Sequence, residues 1–413
     1  MRIAFVTQWF PPEPGMLVAA AIADGLARRG HRVDVLTGFP NYPTGRVHEG
    51  FPVRPYRCDR RSAGVTVHRA PLFPSHDASA VRRAANYSSY AVAASWVARR
   101  RLPRPDAWLV YSSPATAAVP ALTAPRRLQA PVYLLIQDLW PDSVLDSGMG
   151  GRLTGRLIGP ALQRFCDWTY RRAAGIGVIS PGMRSVLTDR GVDPSRLHLV
   201  SNWVEDEHLR PPPDRHGELR RSLGLPAGRL FLYAGNLGEL QGLEPLLAAF
   251  ARCPQATLLL VGDGVRRAAL QQYATRYALP NIVFRDAVPI TEIGRYIAAA
   301  DVQVVSLLDS PLLRVTTPSK VQVSMAAGRP ILAHAAGDVL DLIGSTGAGI
   351  GAPPTDPEAT VDAIRRFVAM APAELADMGR RARAHYELAF SPDAGVDRLL
   401  AMLTGRQSEA VRG

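Results

Sequence analysis

Residues 302–334, VQVVSLLDSPLLRVTTPSKVQVSMAAGRPILAH, decide how this chain is read. An apolar run at 302–307 has the length of a buried strand, and a second follows at 331–334. Between them, 317–327 reads as a helix. Thr317 suits the N-cap, Pro318 the first helical position, and Gly328 followed by Pro330 closes it. Strand, helix, strand is the repeating unit of a parallel sheet. The stretch also holds Lys320, the only lysine among 48 basic residues. A cation in the first helical turn opposes the helix dipole, and an anion bound at the helix start resolves the conflict. The plain alternative is a lysine left by chance on a solvated turn.

The same alternation extends outward. Upstream lie strands near 230–235, 257–261 and 281–285, with helices near 242–251, 265–277 and 291–299; a helix near 356–369 follows. The first half repeats the pattern. Its strands fall at 2–7, 33–37, 65–70, 107–111, 132–137, 175–180 and 197–202, and its helical patterns at 16–29, 81–101 and 152–173. Pro211–Pro213 and Asp214 break the composition and place a linker at 203–214. The expectation is α/β: two doubly wound domains, 1–203 and 204–390. The last helical stretch, 372–405, is broken at Ser391-Pro392, so 391–413 is expected to return to the first domain.

A chain of 413 residues suits two domains. Cys58, Cys166 and Cys253 have no metal-ligand spacing, which fits a reducing compartment and argues against a disulfide framework or a zinc site. The opening MRIAFVTQ reads as a strand with no cleavable signal before it, and no run is long enough to span a membrane. The net charge of +12 comes without nucleic-acid-binding motifs. Its arginines gather instead at both ends of 81–101, around Tyr87, Tyr90 and Trp96, and along 152–173 (Arg152, Arg156, Arg164, Arg171, Arg172). Such segments suit an anionic membrane surface; buried helices with solvated ends are the alternative.

Candidate binding residues sit in loops after strands, where open α/β sheets take ligands. Gly15, at the mouth of the first helix, lets a ligand approach the backbone closely. Asp138, in the QDLWPDS that closes the 132–137 strand, is a candidate contact for a sugar hydroxyl, with an N-cap or loop ion pair as the alternative. In the second half come GNLGELQG (Gly235, Asn236, Gln241), GDG (Gly262, Asp263, Gly264) and the lead-in to Lys320 (Arg314, Thr316, Thr317, Ser319). There is no Walker loop, no GxGxxG after the first strand, no DxD and no HExxH. What remains is a metal-independent anion site that needs no cofactor, made from helix termini and one lysine.

The motifs WFPPEPG, LTGFPNYPTG, QDLWPDS, YAGNLGELQG, VGDG and TPSKVQ…MAAGRPI, in this order, resemble those of the retaining nucleotide-sugar glycosyltransferases of family 4. These have the GT-B fold, two Rossmann-like domains facing across a cleft. The likeness covers nearly the whole chain and is nearest a branch associated with bacterial O-antigen and capsule assembly, which includes L-fucosamine transferase-like proteins. It implies that Gly15 lies by the donor diphosphate and that the Gly235–Gly242 loop faces the donor. Many members have Arg and Lys where this chain has Asn236 and Gln241, and two Glu where it has Val315 and Val323. The departure implies a rewired site, or lost activity. In the rewired site Lys320 and Arg314 become the main cations for the leaving diphosphate.

The expected function is retaining transfer of a sugar, an N-acetylated amino sugar, from a UDP-linked donor. UDP is favoured by the resemblance alone. The expected acceptor is a polyprenyl-diphosphate-linked glycan at the cytoplasmic face of the membrane, in cell-surface polysaccharide assembly. A soluble small-molecule acceptor, a nucleotide-sugar 2-epimerase of the same fold and a non-enzymatic binding protein are the alternatives.

Overall fold

Two sheets carry the molecule. The structure, a computed structural model, describes residues 1–14, 16–76, 79–146, 151–207, 209, 216–225 and 228–405, with the backbone alone at 145–146, 151–158 and 216–217. The chain divides into two compact units, Met1–Ser201 with the chain from Gly395 onward, and Asn202–Ala394. Gly15, Arg152, Arg156 (by its side chain) and most of the expected linker after 207 lie outside the described residues.

The first unit holds β1 (Arg2–Val6), β2 (Arg32–Gly38), β3 (Arg57–Ser62), β4 (Val65–Ala70), β5 (Ala107–Ser112), β6 (Val132–Ile136), β7 (Gly175–Val178) and β8 (Leu197–Leu199). They are ordered β3-β4-β2-β1-β5-β6-β7-β8. Every pairing is parallel except β3 on β4. The loops that follow β1, β2, β4, β5 and β6 therefore all emerge at one edge. Tyr90, fully buried on the Ala80–Arg101 helix, places its hydroxyl 3.0 Å from the Thr7 carbonyl and 2.9 Å from the Leu36 carbonyl, where β1 and β2 end. The Pro392–Thr404 helix packs on this unit at Gly25, where a Cβ would come within 2.5 Å of Val396, and Arg29 pairs with Asp397.

The second unit holds β9 (Arg229–Ala234), β10 (Ala256–Val261), β11 (Ile282–Arg285), β12 (Val302–Ser306), β13 (Ile331–His334) and β14 (Gly349–Ala352), ordered β11-β10-β9-β12-β13-β14 and all parallel. Successive residues of these strands feed different cores. Phe231, Tyr233, Leu258, Leu260, Val302 and Val304 pack on one face. Leu230, Leu232, Leu259, Val261, Val305 and Ile331 pack on the other. A parallel sheet covered on both faces demands apolar residues at consecutive positions, which is why these strands read as unbroken runs.

Three local readings are corrected. The 317–327 helix runs Ser319–Ala326; Pro318 occupies the cap position and Thr317 makes no capping bond. Strand β3, RCDRRS, is missing from the sequence reading because an exposed edge strand needs no apolar face. Strand β14, GIGA, is missing because it is short and glycine-rich; a Cβ on Gly349 would meet the Ile331 carbonyl at 1.9 Å, so backbone proximity excludes a side chain there. The break at Ser391-Pro392 stands between helices Pro372–Ala389 and Pro392–Thr404, with the Ser391 hydroxyl accepting the Ala394 N–H at 3.3 Å.

Replacing Tyr90 with Phe removes a buried hydroxyl from the ends of β1 and β2. The expected loss is about 1–3 kcal/mol, read as a lower urea midpoint at unchanged slope; an unchanged midpoint would show that the hydroxyl contributes nothing.

Candidate anion and nucleotide site

The loops after β9 and β10 are shaped by backbone packed against backbone. Gly262 has φ of +153° and a Cβ there would lie 1.9 Å from the Gly235 carbonyl. Gly264, with φ of +155°, would collide with the Leu237 carbonyl and the Asn236 side chain, both at 2.6 Å. No L side chain fits either place. The Leu237 N–H donates to the Asp263 carbonyl at 2.8 Å, which locks the two loops together.

Lys320 enters this frame from the first turn of its helix. Its Nζ lies 4.9 Å from the centre of the Tyr233 ring, and a Cβ on Gly235 would come within 2.8 Å of it. The ring face offers a cation–π contact, while the Tyr233 hydroxyl donates to the Asn236 carbonyl at 2.6 Å. Among the described residues no carboxylate pairs with the ammonium. Burial lowers its pKa below the ordinary lysine value, with no counter-charge acting against it. An anion arriving here would regain what desolvation costs.

These groups line a cavity of about 590 Å³ within the second unit. One wall is polar: Gly235, Asn236, Gly262, Asp263, Ser319 and Lys320. The lining at Val288, Ile290, Ile293 and Ile297 is apolar. Such a cavity offers a flat apolar body one surface and an anionic group the other. Val323, where a carboxylate is usual in the resembling family, also lines it.

The other candidates are placed as follows. Gln241 lies behind the wall, its Oε1 accepting the Gly238 N–H at 3.0 Å and an Asn236 N–H at 3.4 Å. Gly264 packs under Leu237, and the Thr316 hydroxyl donates to the Leu312 carbonyl at 2.8 Å. Thr317 does not line the cavity. Arg314 does not line it either; its guanidinium makes a two-point pair with Asp309 at 2.5 and 2.8 Å. Asp138 belongs to the first unit. It is exposed at the end of β6, yet enough protein surrounds its carboxyl to raise the pKa, against the Ser113 hydroxyl that donates to it at 2.6 Å.

Sequence reasoning missed Tyr233 and the apolar wall. Tyr233 sits inside an apolar strand, and only its place two residues before Gly235 hints at more than core packing. It also missed a support beneath the loop. The Ser306 hydroxyl donates to the Gln241 carbonyl at 2.7 Å and stands 2.9 Å from His334 Nδ1, which puts the imidazole proton on Nδ1. Burial pushes the His334 pKa down to about 4.

Residues 17–203 match the model of a Glycosyl transferase 4-like domain, and residues 228–370 match Glycosyl transferases group 1. The chain is 29% identical over 270 residues to the colanic acid biosynthesis glycosyl transferase WcaI of Escherichia coli K12, covering 64% of this chain and 65% of that protein. It is 26% identical over 283 residues to the probable glycosyltransferase WbjE of Pseudomonas aeruginosa, covering 67% and 69%. Among solved structures, HepE of Anabaena in complex with UDP-glucose superposes with a TM-score of 0.67 at 16% identity, covering 98% of this chain and all of that one. At that identity the likeness speaks for the fold.

His334 gives a pH prediction. Its folded pKa lies below the free value of 6.5, so the neutral buried ring favours the fold above pH 6.5, and that contribution is lost as pH falls toward 4. Compared with the His334→Gln variant, the wild-type chain should lose on the order of 3 kcal/mol across that window. Parallel stability–pH curves for the two proteins would contradict it.

Proposed function

We propose, for a chain that belongs to the glycosyltransferases of GT-B fold, that the second-unit cavity binds a nucleotide-sugar donor and that the protein transfers the sugar with retained configuration. The observation that carries this reading is the partly buried Lys320 ammonium, without a carboxylate partner among the described residues, at a helix start, in the polar part of that cavity's lining. The apolar wall would take the nucleoside and the polar wall the diphosphate. As the bond from anomeric carbon to phosphate oxygen breaks, charge grows on the leaving diphosphate. Lys320 and the positive end of the helix dipole meet that charge without reorganising. An acceptor hydroxyl bonds to the anomeric carbon on the face the phosphate leaves, and its proton passes to a phosphate oxygen. In this reading the protein itself supplies the positive charge that a metal ion brings elsewhere. Asp138, in the first unit, is the proposed contact for a sugar hydroxyl. Arg314 stays with Asp309 and acts on the diphosphate only if that pair opens.

UDP as the nucleotide and an N-acetylated amino sugar as its cargo rest on the resemblance; HepE, whose complex holds UDP-glucose, supports the former. A polyprenyl-diphosphate-linked glycan is the proposed acceptor. WcaI, named for colanic acid biosynthesis, supports a role in cell-surface polysaccharide assembly. So does the Ala80–Arg101 helix, with Val92 and Trp96 exposed between Arg82 and Arg83 at one end and Arg99, Arg100 and Arg101 at the other. Among the described residues no helix is long and apolar enough to cross a membrane. Contact with an anionic membrane face is proposed on the strength of this helix.

Turnover with UDP-sugars and a polyprenyl-diphosphate-linked glycan should release UDP only when acceptor is present. Lys320→Met should lower that rate by about 10²–10³ with the fold intact. Conversion of the nucleotide sugar to its C2 epimer without acceptor, or near-normal turnover by the variant, would overturn the reading.

The membrane contact has its own test. The chain should float with anionic liposomes at low salt and be released as salt rises; failure to float at low salt would remove the lipid surface from the account.

A further inference from the structure

A chain of aromatic rings runs along the edge of the first unit where the parallel strands end. Trp9 follows β1, Tyr42 follows β2 and Trp140 follows β6, while Tyr87 stands on the Ala80–Arg101 helix. Ring centres are 5.9 Å apart for Tyr42 and Trp9, 6.2 Å for Trp9 and Tyr87, and 5.9 Å for Tyr87 and Trp140. Trp140 is buried at 7% exposure; Trp9, Tyr42 and Tyr87 are partly exposed. Four elements distant in sequence thus bring their aromatic residues to one edge.

The loops that carry this wall are held from beneath. Glu13, 3% exposed, accepts the backbone N–H of Phe10 at 2.9 Å, of Asn41 at 2.8 Å and of Tyr42 at 2.9 Å. One carboxylate therefore fixes the residue after Trp9 and the backbone of Tyr42 together. Arg69, buried on β4, adds donors to the Gly38 carbonyl at 3.1 Å and the Pro11 carbonyl at 2.5 Å. A wall braced by a buried charge on each side is preorganised, so little ordering remains to oppose binding.

We propose that this wall stacks against the apolar C–H face of a pyranose ring in the acceptor, and hence that the protein extends a glycan that already bears a sugar. The proposal deepens the transferase reading above and rests on it. A pyranose has an apolar C–H face and a hydroxylated rim, and partly exposed aromatic rings suit the first while polar tips suit the second. The rim has a donor. Tyr87 accepts an N–H from Arg83 at 3.2 Å, which leaves the phenol hydrogen free for a sugar hydroxyl. Asp138 shares a loop with Trp140, whose backbone N–H donates to the Asp138 carbonyl at 3.0 Å. In the step itself one acceptor O–H bond and one sugar–phosphate bond break, one glycosidic bond forms, and the proton leaves on the nucleoside diphosphate. The acceptor must then come from an earlier transfer of a sugar or a sugar 1-phosphate rather than be a bare polyprenyl phosphate.

Saturation-transfer NMR on the full chain, with methyl glycosides of common pyranoses and octyl phosphate as separate probes, tests this. At least one methyl glycoside should receive saturation at the C–H protons of one ring face. Tyr87→Leu and Trp9→Leu should each weaken its binding about 3–10-fold, whereas Tyr87→Phe, which keeps the ring, should retain most of it. The thermal shift caused by UDP should be the same in all four proteins and reports that each is folded. Saturation of octyl phosphate alone, no transfer to any glycoside, or equal binding by the leucine variants would each overturn the proposal. Transferase activity on a bare polyprenyl phosphate would overturn it too, while leaving the transferase reading intact.

Discussion

A partly buried ammonium that no carboxylate pairs among the described residues is the constraint on which the second unit depends. Taking a cation out of water costs several kcal/mol unless charge or hydrogen bonds replace the solvent. Lys320 has the face of Tyr233 and little else among the described residues. Its surroundings follow from that. Position 235 is glycine because a Cβ would press on the ammonium, and position 262 is glycine because a Cβ would enter the 235 carbonyl. The GNLGELQG and GDG loops are thus one backbone device that leaves room for a cation. The Gln241 carbonyl, held by Ser306 with His334 behind it, keeps that device in register with β12 and β13.

The two units offer different surfaces. The second has, in one cavity, an ammonium unpaired among the described residues and an apolar lining, a combination suited to a nucleotide. At the aromatic edge of the first, Glu13 accepts three backbone N–H groups, the Asp138 carboxyl accepts the Ser113 hydroxyl, and Arg83 donates to Tyr87. Partly exposed rings on a rigid base suit a polyhydroxylated ligand. Arg314, bound to Asp309, leaves Lys320 as the cation on the cavity wall. That arrangement suits a chain with valines at 315 and 323 and neutral Asn236 and Gln241.

Much of this was legible in the sequence, for physical reasons. Strands covered on both faces must be apolar throughout, so the second sheet appeared as runs with helices between them. A single lysine stood out because every other cation is arginine. Edge strand β3 and the glycine-rich β14 escaped because neither carries the pattern that burial imposes. Arg314 looked available because pairing with Asp309, five residues earlier, is a matter of rotamer and turn that spacing does not reveal. Tyr233 was hidden because an aromatic in a core strand reads the same whether its ring packs on leucine or under a lysine. The Glu13 brace was equally hidden: its three partners are backbone groups from two loops, and no side-chain motif reports on them.

The central claim is that Lys320 exists to meet a diphosphate. A crystal structure of the full chain with UDP tests it most directly. The account predicts a phosphate oxygen within hydrogen-bond distance of Lys320 Nζ and of the first-turn N–H groups, with the uracil against Ile290 and Ile293. A diphosphate bound elsewhere, with Nζ still over the Tyr233 ring and no oxygen near it, would contradict the account.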